Sequence, residues 1–136
     1  MIEMTQELAQ KALQAAFAKA DEMGARMGVT IVDEAGRLVL SARADGSGFY
    51  TFDTSYAKAV TSAAYKKSTM DMVNGRDINP HFFDALPSVV PGGALPTAGA
   101  VPIVRGGNII GAIGTGGGLP EQDDECAKAG AAAIAD

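Results

Sequence analysis

Three charged residues in the first half of the chain have types and positions that suit acid–base or anion-binding chemistry. Arg43 ends a predicted strand, Asp45 lies in the loop that follows, and Lys58 lies early on the next predicted helix. Arg43 and Lys58 can clamp a carboxylate through charged hydrogen bonds. A partly desolvated Lys58, or Asp45, can move a proton. A structural ion pair between Lys58 and either Asp45 or Asp53 explains the same residues equally well, and both interpretations stay open.

A glycine run near the end of the chain is a second candidate. Residues 115–118 read Thr-Gly-Gly-Gly and precede a predicted helix with Pro120 at its first position. Bare backbone N–H groups at a helix start can hold an anion, although the acidic residues Glu121 and Asp123 oppose one. The run is neither a P-loop nor a dinucleotide fingerprint, because no Gly-Lys-Ser/Thr follows and the preceding strand belongs to a hairpin. It is therefore a ligand cradle or a tight strand-to-helix turn.

Composition limits the kind of protein and its partners. The 136 residues fit one domain, residues 1–136, with 47% hydrophobic and 20% charged residues. A net charge of −5 argues against nucleic acid and anionic membrane surfaces as partners. We see no signal peptide and no apolar run long enough to span a membrane, and with a single cysteine we expect a cytoplasmic protein. His81 is the only histidine, so no metal site with two histidine ligands can form within one chain, and we assign no residue to a metal site of that kind.

Periodicity and turn signals predict an α+β fold with an antiparallel sheet and flanking helices. The predicted elements are a helix capped by Thr5 and running to about Met27, strands 29–32 and 37–43, a helix from Asp53 or Thr54 to about Lys67, a short helix begun by Ser68 and stopped at Asn74, strands 101–105 and 109–113, and a helix from Pro120 to about Ala135. Tight turns at 33–36 and 106–108 require antiparallel strand pairs. Residues 76–99 read as a long loop with one helical turn near His81 to Ala85, and loops of this length are often functional.

Several segments together are similar to one known family. The segments VTIVDEAGRLVLSARADGS, AKAVTSA, VVPGG, GAVPIV and GAIGTGGGLPEQDDECAKAGAAA resemble, in order and over nearly the whole chain, the GlcG/HbpS family, which includes the C-terminal domain of PduO-type proteins. The resemblance implies a profilin-like αβα sandwich with a mostly antiparallel, roughly five-stranded sheet. It also implies self-association into a homo-oligomer, a dimer or larger. Family members are named for haem binding or degradation, or for neighbouring catabolic genes.

In the fold that the resemblance implies, Arg43, Asp45 and Lys58 converge near two glycine-rich turns. We expect a pocket there for a small, anionic molecule. The pocket is formed either by one chain alone or with residues of a neighbouring subunit. The expected ligand-binding residues are Pro91, Gly92, Gly93, Thr115, Gly116, Gly117, Gly118, Glu121 and Gln122.

Two functions follow from these residues and this resemblance. The first is binding of haem, another tetrapyrrole or a corrinoid. The second is a small catabolic enzyme of isomerase or tautomerase type, acting on an anionic carboxylate intermediate. The candidate iron ligands are His81, Tyr50, Tyr56 and Tyr65, whereas Met70, Met72 and Cys126 are expected to be packing residues. Haem binding is expected to be weak, because no histidine or cysteine stands at a motif position.

Overall fold

The structure is a computed structural model that describes residues 3–73 and 75–136. In chain order the elements are α1 (Gln6–Glu22), β1 (Gly28–Asp33), β2 (Leu38–Arg43), α2 (Thr51–Tyr65), α3 (Thr69–Met72), α4 (Gly75–Ile78), α5 (Pro80–Val89), β3 (Ala100–Arg105), β4 (Asn108–Gly116) and α6 (Pro120–Ala133). The strands form one sheet in the order β2-β1-β4-β3, and every neighbouring pair is antiparallel. Helices α1 and α6 pack on one face and α2 on the other. The α+β sandwich is confirmed, but the sheet described has four strands where the resemblance implied roughly five.

Both predicted hairpins are present. The first turn joins β1 to β2 and the second joins β3 to β4, each as an antiparallel pair. The Asp33 carboxylate fastens the first turn, because its Oδ1 accepts the backbone N–H groups of Ala35 and Arg37, both at 2.9 Å. In the second turn Gly106 and Gly107 take positive φ angles of 57° and 76°, which glycine adopts without steric cost.

Helix α1 begins where the sequence predicts and ends earlier. The Thr5 hydroxyl oxygen accepts the Leu8 N–H at 3.1 Å, so the predicted cap is confirmed. The helix stops at Glu22 rather than near Met27, because Gly24 turns the chain with a positive φ of 68°. Four alanines of α1 are buried in the core that the sheet and α6 complete, namely Ala9, Ala12, Ala16 and Ala20.

The middle of the chain is more helical than predicted. Residues 76–99 contain α4 and α5, and α5 extends the single predicted turn to ten residues, with Pro80 in its first turn. The Ser68 cap of α3 is confirmed, whereas its predicted stop at Asn74 lies outside the described residues. Along α5 the buried residue is Leu86, so this helix leaves most of its apolar surface exposed. No helix among the described residues has both the length and the hydropathy needed to cross a bilayer.

Candidate functional site

Lys58 lies in the middle of α2 with its ammonium group buried. Its Nζ donates to the backbone oxygen of Thr115 at 3.0 Å and to Oδ2 of Asp123 at 3.1 Å. The side chains of Lys58 and Asp123 are only 8% and 5% exposed. The predicted structural ion pair therefore exists with a different partner: Asp123, at the start of α6, replaces Asp45 and Asp53.

Asp123 connects this ion pair to the strand-to-helix turn. Its Oδ1 accepts the Gly118 N–H at 2.9 Å, while Oδ2 accepts from Lys58. Burial raises the pKa of the Asp123 carboxyl above its ordinary value, although the Lys58 charge and the Gly118 N–H act in the opposite direction. The Thr115 hydroxyl lies 2.6 Å from the backbone oxygen of Asp123. Gly99 packs closely against these residues, because a Cβ at its position would lie 2.9 Å from Lys58 Nζ.

The glycine run is packed against the protein. Thr115 and Gly116 belong to β4, because the sheet pairing extends to Gly116 opposite Gly28, so the predicted loop is shorter than expected. A Cβ on Gly117 would lie 2.8 Å from the backbone oxygen of Arg26. Glycine is thus required here for close approach of two backbone segments.

Two of the amide donors just before α6 are already occupied. Gly118 donates to Asp123, and Leu119 donates its N–H to Oε1 of Gln122 at 2.9 Å. Pro120 has no N–H to give. Glu121 is exposed. The helix start is capped by its own side chains, which weakens the expectation of free N–H groups for an anion at this place.

Arg43 and Asp45 are not joined to Lys58. Both are exposed, and no polar contact links either side chain to Lys58 among the described residues. Arg26 donates its Nη1 to the backbone oxygen of Asp45 at 2.7 Å. Direct contact among Arg43, Asp45 and Lys58 is therefore not seen among the described residues, because the Lys58 ammonium points towards Thr115 and Asp123.

The turn at residues 91–93 packs against α2 through Tyr56 and Ala57. A Cβ on Gly92 would lie 3.2 Å from the Tyr56 hydroxyl oxygen, and one on Gly93 would lie 3.7 Å from Ala57 Cβ. Both glycines have positive φ angles, 86° and 87°. Helix α2 thus contacts both expected glycine turns, with Thr51 near the Gly117 turn and Tyr56 near the Gly92 turn.

An aromatic surface at the start of α2 was missed from the sequence. Phe49 and Tyr50 are 82% and 54% exposed, and their ring centroids lie 5.6 Å apart at 89°. The preceding loop lies between Tyr50 and Arg26: a Cβ on Gly48 would contact the Tyr50 ring at 3.1 Å, and one on Gly46 would lie 3.5 Å from Arg26 Cδ. The adjacent aromatics after a Gly-Ser-Gly loop were the available signal.

The strand register places Arg43 on the face of the sheet that carries α2. Arg43 pairs with Gly28, and residues directly opposite in an antiparallel pair point to one face of the sheet. Gly28 lies against Thr51 at the start of α2, so Arg43 points to the α2 face. We call Arg26, Arg43, Phe49 and Tyr50 the aromatic surface. It combines exposed rings with two cations in an acidic protein.

The other candidate ligands are dispersed. His81 is exposed at the start of α5, and Tyr65 lies at the end of α2. Tyr56 stacks on Phe52 at 5.5 Å. Met72 is buried, and Met70 is half-buried, as packing residues would be. The Cys126 thiol is fully buried, 4.0 Å from Met23 Sδ, as predicted.

Comparison with known proteins agrees with this fold. The sequence profile of the family described as "Haem degrading protein HbpS-like" matches residues 4–132. The crystal structure of an HbpS double mutant from Streptomyces reticuli has a TM-score of 0.87 and 30% sequence identity, covering 98% of this chain and 88% of that one. The crystal structure of a PduOC:haem complex has a TM-score of 0.87 and 25% identity, covering 98% of this chain and 96% of that one.

A sequence relative is also found in Citrobacter freundii. It is a 15.0 kDa protein in the dhaT–dhaS intergenic region, 28% identical, with 88% of this chain and 84% of that protein covered. The family profile matches nearly the full length of the chain, and the order of helices and strands fits the solved relatives. This chain belongs to the HbpS-like family.

Proposed function

We propose that this protein binds haem, or a closely related tetrapyrrole or corrinoid, on the aromatic surface. The observation that carries the proposal is the exposure of Phe49 and Tyr50 at the start of α2, with Arg43 on the α2 face of the sheet and Arg26 against the preceding loop. The macrocycle is a large apolar plate that gains from contact with aromatic rings. Its carboxylates are recognised well by guanidinium groups, which Arg26 and Arg43 present.

The residues present fit an iron tetrapyrrole. The Tyr50 hydroxyl is an oxygen ligand of a type that some haem proteins use, and it stands at the exposed edge of α2. Bound haem supplies an iron centre for ligand or redox chemistry. What this chain contributes is a stacking surface, a phenol oxygen and two cations. His81 lies on a different element, so the proposal does not require it.

The family relationship supports the ligand class. The family is described by haem degradation, and a relative with the same fold has been solved as a haem complex. Exposed aromatic rings also occur at protein interfaces, so the experiment must separate ligand binding from assembly.

Titration of the protein with haemin, followed by the Soret band, tests the proposal. We expect saturable binding that Tyr50→Phe changes in spectrum and that Arg43→Gln weakens by about threefold to tenfold, since a charged contact of this exposure is worth on the order of 1 kcal/mol. Arg37→Gln is the matched control. Arg37 is also an exposed arginine, but it immediately precedes the first residue of β2, whereas Arg43 is the last. Cobinamide and metal-free protoporphyrin show whether the iron is required.

Two results would overturn parts of this proposal. Equal affinity in the parent, Tyr50→Phe and Arg43→Gln proteins overturns the location of the site. No saturable Soret change, with cobinamide and protoporphyrin also inactive, overturns the ligand class. Sedimentation of each variant reveals whether a change of assembly accompanies the change of binding.

The second candidate is an enzyme of isomerase or tautomerase type acting on a small carboxylate. Lys58 supports it. Its ammonium group has three N–H donors, and the described residues supply acceptors for two of them, Thr115 and Asp123. Against it, Gly99, Thr115 and Asp123 enclose the ammonium. The test is a thermal-shift screen of small keto and enol carboxylates. A hit that Lys58→Met abolishes, with the fold intact, favours the enzyme.

A further inference from the structure

A cavity of about 790 Å³ lies at the end of the sheet opposite the aromatic surface. It is formed by the two hairpin turns, the N-terminal segment and the end of α2. In β1 the residue at this end is Asp33, paired with Gly111, whereas Gly28 and Arg43 lie at the other end. A strand of six residues separates the two ends by roughly 17 Å at about 3.3 Å per residue. The cavity is therefore separate from the proposed tetrapyrrole site.

The cavity wall carries both signs of charge. Glu3, Asp33 and Glu34 contribute carboxylates, and Lys66 contributes an ammonium group. None of these four forms an ion pair within the part of the chain that the structure describes. The charges are thus free for a ligand to neutralise.

The Asp33 carboxylate is held in a fixed orientation. Both turn amides, from Ala35 and Arg37, donate to its Oδ1, and Oδ2 receives no hydrogen bond from the described residues. A carboxylate fixed in this way loses little conformational freedom when a cation binds to its second oxygen. This is a prepared acceptor for an ammonium group.

Apolar side chains complete the cavity. Met4 and Ile109 line it and are half-buried, so each has surface left to cover. The volume lies within the range of roughly 300–1,000 Å³ that is usual for small-molecule sites. A ligand that uses all these groups has a cationic end, an anionic end and an apolar body.

We propose that this cavity binds a small organic zwitterion with an apolar body, of the chemical class of short apolar peptides. The ligand ammonium lies against the carboxylates of Asp33 and Glu34. Its carboxylate lies against Lys66, and its side chains cover Met4 and Ile109. The three carboxylates against one ammonium favour the cationic end as the stronger anchor.

Trileucine is the probe, measured by calorimetry on the full chain. We expect saturable binding that N-acetylation of the peptide weakens at least tenfold and that C-terminal amidation weakens by a smaller factor. Glu34→Gln and Lys66→Met each lower the affinity by about threefold or more, since one exposed charge contact is removed. Glu7→Gln and Lys67→Met are the matched controls, because both residues are exposed and neither lines the cavity.

Lys66→Gly separates binding from folding. Lys66 ends α2 with a positive φ of 58°, the left-handed conformation that glycine adopts more readily. This variant should unfold at the same or a higher temperature and still bind trileucine less tightly. The proposal is overturned by the absence of saturable binding up to about 10 mM, a concentration well above a millimolar Kd. Equal binding of the capped peptides, or equal loss in the control variants, overturns it as well.

Discussion

Lys58 Nζ and Asp123 Oδ2 lie 3.1 Å apart, both buried, and join the middle of α2 to the start of α6 across 65 residues of sequence. The same aspartate holds the Gly118 N–H, so one side chain fixes both the lysine and the strand-to-helix turn. The pair is thus part of the architecture around β4. Whether it also does chemistry is decided by variants that keep the fold.

Lys58→Met should destabilise the protein by about 3–5 kcal/mol, because it leaves the Asp123 carboxylate buried without its partner. Asp123→Asn keeps an oxygen for the Gly118 N–H, and the double variant removes both charges. We expect the double variant to be more stable than Lys58→Met alone. Urea unfolding followed by circular dichroism gives the double-mutant cycle. A Lys58→Met protein as stable as the parent would contradict a structural role for the pair.

Cys126 should be unreactive in the folded protein. Burial, with a contribution from the Asp123 charge, raises the pKa of its thiol to about 11 from an ordinary 9.0. The thiolate is the reactive form, so an aromatic disulfide reagent at pH 8 should react on the order of a hundredfold more slowly than in urea. Because Cys126 is the only cysteine, the signal needs no deconvolution. Equal rates in the folded and unfolded protein would contradict the prediction.

The same thiol gives a pH dependence of stability. Its pKa is higher in the folded state than in the unfolded state, so its contribution is fully present below about pH 9 and is lost as the pH rises towards 11. The parent should therefore lose stability between pH 9 and 11 relative to a Cys126→Ala variant. Parallel stability curves for the two proteins over this range would show that the thiol does not titrate there.

Gly130→Ala should destabilise the protein, opposite to the usual effect in a helix. At an exposed position the change would stabilise by about 1 kcal/mol through helix propensity. Here a Cβ would lie 2.8 Å from the backbone oxygen of Ala12 and against Ile113, so α1 and α6 must separate. We expect a loss of about 1–3 kcal/mol. Ala132→Gly, at an exposed position of the same helix, measures the propensity term alone, and a more stable Gly130→Ala protein would contradict the close packing.

The turns could be predicted from the sequence because their causes are local. Each turn is formed by residues within a few positions of one another, which are Asp33 and Gly36 in the first hairpin and Gly106 and Gly107 in the second. Both hairpins were predicted. The inner face of α2 could not be predicted in the same way. Ala64 is exposed although it is apolar, whereas the charged Lys58 is buried.

The burial of polar residues on α2 depends on distant partners. Ser55 can be buried because its hydroxyl oxygen lies 2.7 Å from that of Thr30. Lys58 can be buried because its ammonium group forms an ion pair with Asp123. Neither partner is visible in a helical period, which ranks positions by hydrophobicity alone. For this reason the expected site joined Lys58 to Arg43 and Asp45, whereas the structure pairs Lys58 with Asp123 and leaves Arg43 exposed on the α2 face of the sheet.

His81 should be dispensable for tetrapyrrole binding. It is exposed on α5, a different element from the aromatic surface. His81→Ala should therefore leave the haem affinity within about twofold, less than 0.5 kcal/mol. The Soret titration of this variant beside Tyr50→Phe is the measurement. Loss of the haem spectrum in His81→Ala would move the iron site to α5.

The last prediction is self-association, and the structure indicates which surface it would use. The small residues Cys126, Ala127 and Gly130 of α6 are buried inside the chain, so they are not available to a second copy. Apart from the aromatic surface, several of the exposed large apolar residues lie around α4 and α5, where Ile78 is 86% and Val89 is 73% exposed. Apolar groups this exposed are typical of surfaces that a partner covers.

We therefore expect at least a dimer that buries the α4–α5 surface. Light scattering at micromolar concentration should return a mass well above the 13.9 kDa of one chain. The double variant Ile78→Ser, Val89→Ser should lower that mass, because it removes the apolar area that association would bury. Leu38→Ser is the control, since Leu38 is also exposed but lies on β2, at the edge of the sheet. A parent mass near that of one chain would refute self-association, and a mass lowered by Leu38→Ser alone would place the contact at the sheet edge.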